Sequence, residues 1–184
     1  MILPAPMLLH TGVRLPPFDR PGWLYEIKFD GYRMLAGIDH GVVQLATRKG
    51  FNSTGWFPEI AQGLAHLAGG PHVLDGEVCV LDDLGRSDFN RLQDRARRRC
   101  YYPECDPVVF CAFDLLALDG RSIIGLPLEA RKAHLAALLS PAPPSVLYVG
   151  HFSADEGRVM FEQGVQPLQL EGLVAYVIPK CCVI

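Results

Sequence analysis

The sequence predicts an α+β domain. Three observations predict it: a β-hairpin pattern over residues 34–50, an amphipathic helix pattern over 126–140, and strands mixed with helices along the rest of the chain. At 184 residues the chain suits a single domain, 1–184, that can bury a core of its own. Its 49% hydrophobic and 20% charged residues are a globular balance. No window approaches the roughly 18 unbroken apolar residues of a membrane span, so a soluble, cytoplasmic chain without a membrane partner is expected. The formal charge of -3 gives no global pull towards a polyanion, which leaves "RLQDRARRRC" at 91–100 as the local basic stripe that could supply one.

The elements follow in order. Residues 1–22 are apolar, interrupted by five prolines, and lack a basic start, which describes an extended arm rather than a signal peptide. Residues 23–29 read as a strand whose alternation sets Glu26, Lys28 and Asp30 on one face and Tyr25, Ile27 and Phe29 on the other. The apolar set should pack on the core. The charged set should face a site, a partner strand, or simply water with cross-strand ion pairs. "MLAGIDHGVVQLATRKG" is a hairpin turning at Asp39, His40 and Gly41.

"WFPEIAQGLAHLA" carries Phe57, Ile60, Leu64 and Leu67 at helical spacing, with Gly69-Gly70 as its stop. "HVLDGEVCVLDDLG" is a strand entering a turn; alternation places Asp75 and Glu77 on one face, a pair of carboxylates suited to a metal or to a turn-flanking role. Residues 88–98 read as a helix with a basic exposed side, on which Arg95, Arg97, Arg98 and Arg99 could follow a DNA backbone or be solvated. "PVVFCAFDLLALDG" is a buried strand ending in a turn. "LPLEARKAHLAALLS" is an amphipathic helix with Pro127 in its first turn. A short strand at 146–149 precedes a helix capped by Ser153 with Glu156 in a capping box and stopped by Gly164. "LEGLVAYVIPKCCVI" then forms a last strand.

Six cysteines without a CxxC pair indicate reduced thiols, with Cys79 and Cys111 as small buried apolar groups. The six histidines lie apart without metal-ligand spacing.

"KFDGYR" at 28–33 matches the KxDGxR signature of the covalent nucleotidyltransferases and resembles the ATP-dependent DNA ligases. "TRKG" at 47–50, "LDGEV" at 74–78, "FCAFDLLALDG" at 110–120 and "LEGLVAYV" at 170–177 look like the later motifs, in family order. The resemblance covers nearly the whole chain and is nearest to bacterial ligases of end-joining systems. It implies an ATP-grasp-like adenylation domain, with two antiparallel sheets flanked by helices around an ATP cleft.

It further implies that Lys28 attacks the α-phosphate of ATP and holds AMP as a phosphoramide, for activating a DNA 5′-phosphate in repair or end joining. An amine attacks only when neutral, so the charges of Glu26 and Asp30 must be engaged elsewhere. By family likeness Glu26 reads the adenine, Asp30 sits by the reacting phosphate and metal, and Arg33 and Arg48 contact ribose and phosphate. Phe113 stacks on adenine, against the plainer expectation of core packing. Glu77 lies near ribose and metal, and Glu171 is a metal partner for Mg2+ or Mn2+.

The sequence departs from the family at Tyr176, where Lys or Arg is usual, and Lys180 does not match the family's final two-lysine motif. The chain ends thirteen residues beyond Glu171, without the oligonucleotide-binding domain. The expectation is therefore an adenylation domain, incomplete at its C-terminus, that binds ATP, holds nicked or broken DNA weakly and ligates poorly alone. The alternatives are a catalytically silent nucleotide- or protein-binding relative, and an RNA ligase or GTP-using capping enzyme.

Overall fold

The computed structural model describes Phe18 and residues 22–177. The arm expected at 1–22, apart from Phe18 and Gly22, and the tail 178–184 with Lys180 lie outside the described residues. The elements run β1 (Trp23–Ile27), β2 (Tyr32–Asp39), β3 (Val42–Thr47), α1 (Pro58–Leu64), β4 (His72–Cys79) and α2 (Phe89–Arg97). They continue with β5 (Val109–Leu118), β6 (Arg121–Ser122), α3 (Leu128–Leu138), β7 (Val146–Tyr148), α4 (Ala154–Met160) and β8 (Leu173–Val177).

The larger sheet has the order β3-β2-β4-β5-β6, with β7 added beside β5; β1 and β8 pair as a separate antiparallel ribbon. Two sheets are present, as the resemblance implies, but the larger is mixed because β7 runs parallel to β5. The predicted hairpin forms β2 and β3. Its two linking residues, His40 and Gly41, both have positive φ (46° and 82°), the geometry that matches the twist of flanking strands.

One face of the large sheet carries the main core. Met34, Leu74, Val78 and Phe110 of the sheet meet Phe57, Ile60 and Leu64 of the α1 segment, Leu92 and Ala96 of α2, and Leu135 of α3, all buried. The helical spacing read from 57 to 67 is thus a core stripe, although α1 stops at Leu64 and the chain turns before Gly69. The opposite face looks towards β1 and β8. There Cys79, Cys111 and Val149 are buried, with Phe29 and Phe113 packed against them.

Two glycines let these layers approach. A side chain on Gly31 would meet the Val78 carbonyl oxygen at 2.2 Å, and one on Gly76 would meet the Phe110 ring at 2.5 Å. These are the glycines of "FDGYR" and "LDGEV", so both positions need the bare backbone for packing.

Several expectations are corrected. β1 ends at Ile27 rather than at residue 29, because its pairing with β8 ends at Leu173; Lys28, Phe29 and Asp30 therefore lie beyond the strand, although Lys28 and Asp30 still reach the space that Glu26 lines. Pro127 occupies the N-cap of α3 rather than its first turn. The Ser153–Glu156 capping box is present, but Gly164 does not stop the helix: α4 passes into a π-helical turn, Phe161–Val165, and one more turn to Leu168. The left-handed residue that ends the run is Gln169, φ 53°.

Candidate functional site

Between the ribbon and the large sheet lies a cleft of about 380 Å³. Its lining includes Glu26, Lys28, Asp30, Arg33, Arg48, Glu77 and Phe113, so residues from four sequence motifs converge on one space. Val174 and Tyr176 of β8 close it from the ribbon side. Glu171 lies just outside, ion-paired with Lys28 and lining a smaller adjoining recess that Lys28 and Asp30 also reach.

Local structure explains each placement. Lys28 follows the last residue of β1, and its backbone N–H donates to the Gly172 carbonyl at 3.0 Å, which ties the lysine to the start of β8. The N–H of Asp30 donates to Ser87 Oγ at 3.1 Å, so the turn after β1 is anchored to the turn after β4. Arg33 and Glu77 stand opposite each other in the β2–β4 register, which sets a cation and an anion side by side on the cleft floor.

Arg33 is not free for a ligand in all its donors. It makes a bidentate pair with Asp75, Nε to Oδ1 at 3.0 Å and a terminal nitrogen to Oδ2 at 2.8 Å. Asp75 and Glu77 do share a face, as the alternation requires, but Asp75 is 2% exposed and engaged by Arg33, which leaves Glu77 as the carboxylate of that pair that lines the cleft. The Arg33 guanidinium also stands 5.0 Å from the centre of the Phe113 ring. Phe113 is half-buried: one part packs on the core cluster and another faces the cleft.

Burial shapes the acid chemistry. The Glu77 carboxyl is pushed up to about 7 by desolvation, against the pull of Arg33 and with Asp75 adding to the rise. Glu26 is also pushed up to about 7 by desolvation, opposed by Lys132. Burial likewise raises Asp75, against its Arg33 hydrogen bonds, and raises the Tyr176 phenol.

The sequence did not single out Lys132. It is fully buried on α3, with Nζ 2.8 Å from Glu26 Oε1 and donating to the Val149 carbonyl oxygen at 2.8 Å. Beside it, Arg131 makes a bidentate pair with Asp114, 2.8 Å on both arms. A signal existed: Leu128, Lys132, Leu135 and Leu139 follow helical spacing, so the lysine sits on the apolar stripe of its helix.

The basic stripe is also reassigned. Arg95 is completely buried, paired with Glu59 at 2.9 Å and bonded to the Cys100 carbonyl oxygen at 2.8 Å, so it does not belong to an exposed face. Arg97 pairs with Asp94 at 3.0 Å, Arg98 lies 4.2 Å from the Tyr102 ring centre and Arg99 5.2 Å from that of Trp56. Arg95 thus anchors α2 from inside, while Arg97, Arg98 and Arg99 stay on the exposed side.

Among the described residues no preassembled group of three or more acidic, histidine or cysteine ligands occurs. No helix among them is long and apolar enough to cross a membrane.

Comparison with known proteins places this architecture. Residues 8–177 match the family model of the ATP dependent DNA ligase domain. The multifunctional non-homologous end joining protein LigD of Mycolicibacterium smegmatis is 39% identical over 171 residues, covering 93% of this chain and 21% of that protein. The crystal structure of the ligase domain from M. tuberculosis LigD superposes with a TM-score of 0.67 at 34% identity, covering 85% of this chain and 48% of that one. A mycobacterial DNA ligase D complexed with ATP and MES gives a TM-score of 0.66, also at 34% identity, with the same coverage of 85% and 48%. The chain thus spans about a fifth of the curated relative and about half of each structural one.

Proposed function

The chain belongs to the ATP-dependent DNA ligase family, and from that premise we propose that it is an adenylation domain in which Lys28 takes AMP from ATP. One observation carries the reading: Lys28, Glu26, Arg33, Glu77 and Phe113, distant in sequence, line a single cleft. The adenine enters between Phe113 and the β8 side chains, with Glu26 at the inner end. Arg48 and the free face of Arg33 meet the ribose and phosphates.

In the reaction Lys28 Nζ, having lost a proton, forms a bond to the α-phosphorus while the bond to the β-phosphate bridging oxygen breaks. The electron pair leaves with pyrophosphate, the nitrogen gives up its second proton to solvent, and AMP stays on the lysine as a phosphoramide. Glu171 holds the Lys28 amine at the cleft mouth before nucleotide arrives. A DNA 5′-phosphate at a nick or break is the proposed acceptor of that AMP, in repair by end joining.

A divalent cation fits the residues present. Glu77 lies in a buried spot made more anionic by Asp75 and Asp30, and Asp30 and Glu171 flank Lys28. Magnesium takes one or two carboxylates and fills its remaining positions with water and phosphate oxygens, so Glu77 and Glu171 are the residues that would hold it. Bound there it would offset charge on the phosphates.

Two observations favour a second reading. Tyr176, not a cation, closes the cleft on β8, and Arg33 is committed to Asp75. A cleft with that charge supply could bind nucleotide reversibly without transfer. Intact-protein mass spectrometry after incubation with ATP and magnesium separates the two. A mass gain of one AMP on the wild type and none on Lys28→Ala is expected. Nucleotide binding with no adduct would replace the first reading with the second.

A further inference from the structure

We propose that Lys132 is a specificity-determining positioning residue: from behind the cleft it keeps Glu26 a hydrogen-bond acceptor, and so selects a 6-amino purine over a 6-keto purine. The inference rests on the nucleotide reading of the cleft.

The geometry is that of a built device. Glu26 and Lys132 have side chains 3% and 0% exposed, on elements far apart in sequence, and meet at 2.8 Å. Lys132 is fixed independently of Glu26 by the Val149 carbonyl and stands 5.6 Å from the centre of the Tyr148 ring. Side chains of its length ordinarily reach water, so a lysine kept inside the protein here is held by these partners. Because Glu26 also lines the cleft, the lysine acts on ligand only through the carboxylate.

The groups around Glu26 set the sign. Lys132 and Arg131 approach from α3, Asp114 from β5, Tyr148 from β7, and Tyr176 from β8 with a hydrogen bond to the carboxylate; Asp75 and Arg33 lie beyond Tyr176 and His151 beyond Lys132. Arg131 makes its bidentate pair with Asp114, and Arg33 gives two of its donors to Asp75. Lys132 is therefore the cation that answers Glu26. Burial favours the protonated carboxyl, and Lys132 is the main opposing influence. A carboxylate accepts from an exocyclic amine; a protonated carboxyl donates to a keto oxygen instead. Removing the Lys132 charge should thus weaken the preference for the amine.

The test measures equilibrium binding of the α,β-methylene triphosphates of adenosine and inosine, which cannot transfer the nucleotide, to the full chain at pH 7 and pH 9. The wild type should favour adenosine by about tenfold at pH 9, the worth of one well-placed hydrogen bond, and by less at pH 7, close to the value to which burial pushes Glu26. Lys132→Met should show a smaller preference than the wild type, with the larger loss at pH 7, and Lys132→Arg should retain the wild-type preference. A purely structural lysine would weaken both ligands alike at both pH values, and that pattern overturns the proposal. If Lys132→Met does not fold, the double variant Glu26→Gln/Lys132→Met removes both buried charges together. Its amide can donate or accept, so near-equal binding of the two bases supports the proposal and a wild-type preference overturns it. A wild type that binds both bases equally overturns this inference while leaving the nucleotide reading intact; one that binds neither overturns both.

Discussion

Lys28 and Glu171 form an ion pair at the point where β1 and β8 end together, one step beyond the Ile27–Leu173 pair and beside the backbone bond from Lys28 to Gly172. The proposed nucleophile is thus positioned by a residue 143 places away, through strand pairing rather than through its own strand face. Glu171→Gln should slow formation of the Lys28 adduct about 10- to 100-fold, the usual cost of losing a group that orients a reacting side chain or ligates its metal. The time course of AMP mass gain reads this. An unchanged rate would make Glu171 a surface partner only.

Phe113 is expected to serve the ligand as well as the core. Its ring touches the Cys79–Cys111–Val149 cluster on one side and lines the cleft on another, with Arg33 5.0 Å from the ring centre. Phe113→Leu should weaken ATP-analogue binding about tenfold, the scale of an aromatic stacking contact, while lowering stability by about 1 kcal/mol. Calorimetric titration and thermal unfolding measure the two effects separately. Unaltered affinity would assign the ring to packing alone.

Stability should fall as pH rises from about 5 to 8. Glu77 has a folded pKa of about 7, above its ordinary value of 4.5. The folded chain keeps a proton there that the unfolded chain has already released, so folding is favoured on the acid side, and the contribution is lost as pH climbs through about 7. The midpoint of thermal unfolding, followed at several pH values, should drop across this window for the wild type and drop less for Glu77→Gln. Equal slopes would show that Glu77 does not carry the dependence.

Arg95 and Arg97 should behave oppositely despite lying two residues apart. Arg95 is fully buried against Glu59 and the Cys100 carbonyl, and Arg95→Ala should cost about 3 kcal/mol by leaving buried partners unanswered. Arg97 is exposed with Asp94, and Arg97→Ala should stay within about 0.5 kcal/mol. Denaturant unfolding decides between this and a uniformly solvated basic face, which predicts small effects at both.

Local pattern made much of this legible. The hairpin was readable because His40-Gly41 can adopt the positive φ its turn needs, and the Ser153–Glu156 cap because its hydrogen bonds close within one turn of helix. The motifs were enough to name seven of the residues that line the cleft, whereas Glu171 lines the adjoining recess. The end of β1 was not readable, because a strand stops where its partner stops, and β8 lies at the other end of the chain.

The sequence by itself determined the class of fold, the family, and the cast of side chains at the cleft, since these depend on periodicity and on short motifs. Only the tertiary structure decided which charges are available. Arg33 gives two of its donors to Asp75, Arg95 pairs with Glu59, and Lys132 is buried against Glu26. The physical reason is desolvation: a buried charge must find a partner, and that partner is chosen by three-dimensional packing, which alternation along one strand or one helix does not reveal.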